Sequence, residues 1–214
     1  HKIGNPLTSY NECLSANMLP GTLQMVIILI LIYSLGIELK YNKSRELLET
    51  SGGSIGVAVG GKLIVYTIFF TLLGMLVEVL LYSWMHFPLA GSIWNMMLDM
   101  LLLVLASEAC AVFIIGICPI CRFALSLGAI FSVLSLSFTG FTLPVEVMPR
   151  ILQGFPYMFP LRHYYLFGVQ ELMYGSGFAG WWKEAIWLLA FLIPPVFVLP
   201  RLKSAYVKLD YPKN

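Results

Sequence analysis

Residues 93–118 read IWNMMLDMLLLVLASEACAVFIIGIC. A helix needs about 20 apolar residues to cross the ~30 Å hydrocarbon layer of a bilayer, and this run supplies them. Similar apolar stretches lie at residues 19–37, 63–85, 123–143 and about 181–199. No soluble domain of 214 residues needs several such runs in succession. The chain reads as an all-α polytopic membrane protein with five transmembrane helices, because hydrocarbon offers no partner to an unpaired backbone group outside a helix or a closed barrel.

Composition agrees: 59% of residues are hydrophobic and 11% are charged, against roughly 25% charged in an average globular chain. The net charge of +2 comes from basic residues scattered at segment ends, not from a stripe, which argues against nucleic acid as a partner. Those residues read as topology signals. With the C-terminus in the cytoplasm, Lys40, Lys43, Arg45, Lys62, Arg122, Arg201, Lys203, Lys208 and Lys213 lie inside, and Lys2, Arg150, Arg162 and Lys183 lie outside. Nine against four favours a multi-pass protein of the plasma (inner) membrane with its tail, residues 200–214, in the cytoplasm. Residues 1–18 then lie outside with no basic-then-apolar leader, and the chain begins with His. The expectation is a fragment whose parent has six spans, the missing N-terminal part supplying one more helix and an external domain.

Two connections carry most of the information. The first, residues 38–62 (ELKYNKSRELLETSGGSIGVAVGGK), lies on the cytoplasmic side. Asn42 or Ser44 can cap a short helix with Arg45, Glu46 and Glu49 on a polar face and Leu47 and Leu48 on an apolar one. Gly52 and Gly53 should end it. Gly52, Gly56 and Gly60 recur every four residues, a face that lets another helix approach closely; a solvated loop with flexible glycines is the alternative. The other connection, residues 144–180, is external and too apolar for a soluble loop. Pro144, Glu146, Pro149 and Pro160 mark a re-entrant segment, since prolines at this spacing allow only very short helices. The alternative is a loop lying flat on the headgroups with its aromatic residues as anchors.

These stretches resemble the type-2 permease subunits of ATP-binding-cassette exporters. The cytoplasmic stretch is similar to that family's acidic-basic run, E-x-L, turn and G-K, with Glu38, Lys40, Arg45, Glu46, Leu48, Gly61 and Lys62 in place. The external stretch resembles the family's F-x-G-x-x-x-P-x-x-x-M-P-x-x-L-Q segment followed by P-L-x-x-Y. Phe138, Gly140, Pro144, Met148, Pro149, Leu152, Gln153, Pro160, Leu161 and Tyr164 fill it. Met18-Leu19-Pro20-Gly21 resembles the entry to the family's second helix. The likeness spans nearly the whole chain and departs at Ser44-Arg45, where members commonly carry Gly-Thr. It implies a permease domain at 19–199, paired with a second copy or a sister chain, and cytoplasmic ATP-binding-cassette ATPase subunits as partners. It also implies that the helix at about Ser44–Thr50 is the coupling helix seated in an ATPase groove, with Leu47 and Leu48 supplying contact area and Arg45, Glu46 and Glu49 setting register. ATP and Mg would sit on the partner subunit and no cofactor on this chain, which would not be an enzyme by itself. Residues 56–62 approach a phosphate-binding loop, but Leu63 stands where Ser or Thr is needed.

Inside the spans, Glu78, Asp99 and Glu108 are functional candidates, because each acid costs a few kcal/mol at mid-bilayer. Glu78 lies roughly 22 Å past Leu63 and Asp99 roughly 9 Å past Ile93 along oppositely directed helices, so the two can share one polar site in the outer half. Asp99 and Glu108 are nine residues apart, about half a turn out of phase, and cannot both face one narrow pathway. Structural pairing with Arg122, a backbone group or a neighbouring helix is the alternative to a proton relay or a cationic-substrate contact. Cys118 and Cys121 have redox-motif spacing without a βαβ context, and His1, His86 and His163 are too dispersed for a metal or catalytic cluster. His86 and His163 read as interfacial. Trp181, Trp182 and Trp187 fit an interfacial belt, and Pro194-Pro195 should kink the last helix.

Three functions remain open: an exporter permease, a polytopic membrane enzyme, and a non-transporting membrane partner of an ATPase. The hydroxyl residues Ser126, Ser132, Ser135, Ser137, Thr139 and Thr142 on the fourth span suit an amphiphile, lipid or drug, or serve as interhelical glue.

Overall fold

A computed structural model describes residues 10–41, 44–140, 145 and 148–208, without the side chains of residues 10–16, 45 and 208. Among the described residues the chain is helical and contains no strand. The long helices are α1 (Tyr10–Lys40), α3 (Ile55–Val79), α4 (Ile93–Ile117), α5 (Cys121–Ser137) and the consecutive pair α7 (Phe178–Ala190) and α8 (Ile193–Lys208). Two shorter helices are α2 (Ser44–Thr50) and α6 (Pro160–Val169). Four stretches are long and apolar enough to cross a membrane: Asn17–Lys40, Ile55–Trp84, Ile93–Ile117 and Phe178–Val207.

Burial separates these four. In the apolar window of α4, 78% of residues are buried, against 17% in the stretch containing α3 and 11% in that containing α7 and α8. Helix α4 is therefore the axis of the bundle, and the others face outward along much of their length. Helices α1, α3, α6, α7 and α8 all pack on it. Leu103, Val104, Ala111 and Ile115 of α4 join Ile27, Ile28, Leu31, Ile32 and Leu35 of α1 in the main core.

Several boundaries differ from those the sequence predicts. Helix α3 begins at Ile55, eight residues before the expected Leu63, and absorbs the glycine-rich run. No neighbour lies within 4 Å of a Cβ placed at Gly60 or Gly61, and a Cβ at Gly56 would meet only Ser54, so within this chain the glycine face stays uncovered. The expected span at 123–143 is instead the 17-residue α5, about 25 Å long. It ends where Thr139 Oγ1 donates back to the Ser135 carbonyl and Gly140 turns the chain at φ 100°. The last apolar stretch breaks at residues 191–192, where the Phe191 and Leu192 amides close tight turns onto Leu188 and Leu189. Pro194 and Pro195 lie just beyond, in the first turn of α8, where their missing N–H groups cost least.

Helices α1 and α5 approach closely through glycine. A Cβ at Gly128 would come 2.6 Å from Ile32 Cδ1, and one at Gly36 would come 2.8 Å from Cys121 Cβ. With little solvent-driven force between helices in lipid, such backbone approach is a main source of association. Gly128→Val should lower the thermal unfolding temperature of the purified protein in detergent, reflecting an overpacking cost of about 1–3 kcal/mol. Gly61→Ala, placed in open space within a helix, should leave it unchanged or raise it, by up to ~1 kcal/mol.

Candidate functional site

Three places inside the bundle gather polar groups from distant segments, in addition to the buried Gln24–Ser135 pair between α1 and α5 and the contact of Arg162 with the Thr139 carbonyl. The first surrounds Asp99. Helix α3 ends in a wide turn of π-helix, Leu80–Trp84, and α6 runs into another, Gln170–Tyr174. The Ala90 and Gly91 amides donate to the carbonyls of Leu172 and Glu171, which stitches the connection before α4 to the wide turn after α6. Glu171 is thereby carried inward and fully buried, and its Oε2 accepts from the Ser92 amide at 3.1 Å. The Tyr164 hydroxyl, from α6, donates to Glu78 Oε1 at 2.6 Å.

Asp99 is fully buried beside these groups, within electrostatic reach of Glu78, Glu171 and Glu184, and among the described residues neither of its carboxyl oxygens has a hydrogen-bond partner. Tyr82 lies within reach of both Glu78 and Asp99. Glu78 and Asp99 thus share a polar region. Glu184 continues it through His163, whose Nδ1 lies 2.7 Å from Glu184 Oε2 and whose Nε2 lies 3.1 Å from the Tyr157 carbonyl. His163, read from sequence as interfacial, is fully buried and stacks on Trp187.

Glu108 occupies another place, against α3. Its Oε2 accepts from the Thr67 hydroxyl at 2.7 Å, while Oε1 has no partner among the described residues. The half-turn offset from Asp99 accordingly separates the two acids, and Arg122 is partner to neither among the described contacts. Arg162 is buried at the end of α5, where Nη1 donates to the Thr139 carbonyl at 2.7 Å and the guanidinium faces the Tyr157 and Tyr165 rings. A cation at a helix C-terminus satisfies an otherwise orphaned carbonyl and the helix dipole together.

The third place is the opposite end of the bundle, at α2. Gly53 and Gly52 donate to the Leu48 and Glu49 carbonyls at 2.8 and 3.1 Å, with Gly52 left-handed at φ 64°. This is a Schellman closure, which ends α2 where the glycine pair predicts. Ser44 does not cap the helix as expected; its buried hydroxyl donates to the Tyr206 carbonyl of α8 at 3.1 Å. Tyr206 in turn donates its hydroxyl to the Leu35 carbonyl of α1 at 3.0 Å. Leu47 and Leu48 are half-buried and pack against the protein's own core, while Glu46 and Glu49 are exposed. Lys62 reaches α1, where its Nζ donates to the Ser34 carbonyl and to Glu38 Oε1, both at 2.8 Å.

Of the other predicted positions, Asn42, Pro144 and Glu146 lie outside the described residues, as does the side chain of Arg45. Pro149 is exposed and its carbonyl accepts from the Leu152 amide at 2.8 Å. Pro160 is buried as the first residue of α6. Residues 56–62 run as regular helix, so no phosphate-cradling loop forms there. Among the described residues no group of His, Cys, Asp and Glu is arranged to hold a metal, and Cys110, Cys118 and Cys121 are free thiols. Sequence reading passes over Glu171, Glu184 and Thr67. The acid in Trp-Trp-Lys-Glu at 181–184 is the available signal for one of them; the other two are brought in by wide turns and helix crossing.

In comparisons with known proteins, no family model matches the chain, and no curated protein or solved structure matches it either.

Tyr164→Phe removes the side-chain donor from Glu78 Oε1 and leaves that buried carboxyl, like Asp99, without a hydrogen-bond partner among the described residues. It should cost about 1–3 kcal/mol of stability. In a double-mutant cycle with Glu78→Met, the Tyr164→Phe cost should nearly vanish, read as unfolding temperature in detergent; equal costs in both backgrounds would mean the bond carries no energy.

Proposed function

We propose that the chain is the transmembrane permease subunit of an ATP-binding-cassette exporter, working with separate cytoplasmic ATPase subunits that bind ATP and Mg and with a second permease copy or sister chain. In this reading it is a multi-pass protein of the plasma (inner) membrane with its C-terminus in the cytoplasm. It has five spans, with α5 as the short fourth, and residues 144–180 dip back into the outer leaflet.

The observation that carries the reading is α2. A short helix closed by a glycine pair sits between two long apolar helices and packs on α3 and α8, at the end where the basic residues gather. Its outward face carries Glu46, Glu49 and Thr50, and a recess of about 420 Å³ beside it is lined by Leu48, Glu49, Gly53, Tyr206 and Val207. A cytoplasmic partner would meet this face. Contact area on the permease side then comes from the recess and the acidic edge, because Leu47 and Leu48 are engaged in holding α2 to the bundle. The transported substrate would be an amphiphile, lipid or drug, in keeping with hydroxyl residues scattered along an otherwise apolar α5.

Purification through a tag after Asn214, followed by mass spectrometry of co-purifying subunits, tests the proposal. An ATPase with nucleotide-binding motifs should accompany the protein. Glu46→Arg should reduce its recovery at least about tenfold, the effect of ~1.4 kcal/mol, while changing the permease's own stability by less than about 1 kcal/mol, the scale of a charge reversal in an exposed first helical turn. Absence of any such ATPase from the unmodified preparation would discard the exporter reading in favour of a membrane enzyme.

A further inference from the structure

Between α3, α4 and α8 runs an open groove of about 220 Å³, on the face where the glycines of α3 are uncovered. Gly56 and Gly60 form one wall, Pro195 and Val196 of α8 the other, and Glu108 and Ala109 of α4 the floor. None of the lining residues is basic.

Glu108 is 3% exposed, and its position in the groove leaves it short of donors. The Thr67 hydroxyl has one proton and two acceptors within reach, Glu108 Oε2 at 2.7 Å and the Leu63 carbonyl at 2.9 Å. Ser107, the neighbouring hydroxyl on α4, is committed to the Leu103 carbonyl at 2.6 Å. The wall contributed by α8 is apolar. Among the described residues Glu108 Oε1 is left with no partner, and a buried acceptor without one is costly.

We propose that this groove binds a single-chain alkylammonium amphiphile, its N–H groups donating to Glu108 and its chain lying along the glycine wall between α3 and α8. Charge complementarity selects the head: an ammonium supplies up to three donors and a countercharge to an acceptor that has none to spare. Shape selects the tail. The missing Cβ atoms at Gly56 and Gly60 leave that wall open to a chain lying along it, and the exposed apolar side chain of Ile64, one helical turn after Gly60, continues the same face of α3. The site requires no ATPase, so it stands or falls separately from the exporter reading.

The test uses the purified protein in lipid nanodiscs with two photoreactive probes, a decylamine and the matching decanol, each carrying a mid-chain diazirine, mapped by peptide mass spectrometry. The amine should label peptides of α3, α4 and α8 around Gly60, Ala109 and Val196, and excess unlabelled decylamine should compete. Glu108→Gln should lower amine labelling about tenfold, the usual scale for losing a charge-assisted hydrogen bond, while leaving alcohol labelling unchanged. Gly60→Leu, which fills open space and leaves Glu108 intact, should abolish labelling by both probes and serves if the Glu108 variant does not fold. Equal labelling by amine and alcohol, or insensitivity to Glu108→Gln in folded protein, would overturn the proposal. So would cross-linking showing the groove occupied by a helix of a second copy.

Discussion

The burial of α4 on nearly every side is the constraint to which the rest of the bundle answers. A helix facing lipid can leave its apolar side chains to the hydrocarbon, but one enclosed by protein must match each neighbour in shape and give each polar group a partner. Helix α4 does the first with small residues, Ala106, Ala109, Ala111 and Gly116, which bring surrounding backbones close. It meets the polar demand unevenly. Ser107 bonds to its own helix, Glu108 takes half a partner from α3, and Asp99 takes none. The helices around it are placed by the demand of shape, and the groups most open to a bound species are the polar ones left over.

The polar content is also divided along the bundle's length. Toward the connection between α3 and α4, carboxyls gather around Asp99, with the Tyr164 hydroxyl donating to Glu78 and the His163 ring paired with Glu184. Toward α2, the ion pair of Lys62 with Glu38 and the hydroxyls of Ser34 and Tyr66 tie α3 to α1. Arg162 belongs to neither group: its Nη1 donates to the Thr139 carbonyl, its guanidinium faces two aromatic rings, and its buried Nε has no partner among the described residues. The acidic region therefore lacks an arginine or lysine of its own among the described contacts.

Much of the fold was legible in the sequence because apolar length is a local property. The ends of α4, the residues of α2 and its glycine stop could each be read from a few neighbouring side chains. The start of α3 could not. Seven residues with three glycines, 55–61, look like a loop by intrinsic propensity, yet they continue a helix because a backbone exposed to apolar surroundings has to bond to itself. The acidic region was half legible. Helix geometry placed Glu78 and Asp99 at one level, but Glu171 arrives by a wide turn 72 residues after Asp99 and His163 meets Glu184 across a loop, and no periodicity encodes such pairings. The inward orientation of Leu47 and Leu48 was hidden for a simpler reason. An amphipathic pattern states which face is apolar and not whose surface covers it.

Ser44 and Tyr206 have a mechanical consequence. The carbonyl of Tyr206 holds α2 and its hydroxyl holds α1, so one residue near the end of α8 pins three segments at a point. A short helix on flexible connections would ordinarily absorb a push by rocking in place. Pinned in this way, α2 is tied by the Ser44 hydroxyl to the α8 backbone and through Tyr206 to α1, as well as by the hydrogen-bonded turn at residues 51–54 to α3. Displacement at that end of the molecule is shared first between the two helices that flank the core, and the break at residues 191–192 sets how far along the last of them it travels as a rigid rod.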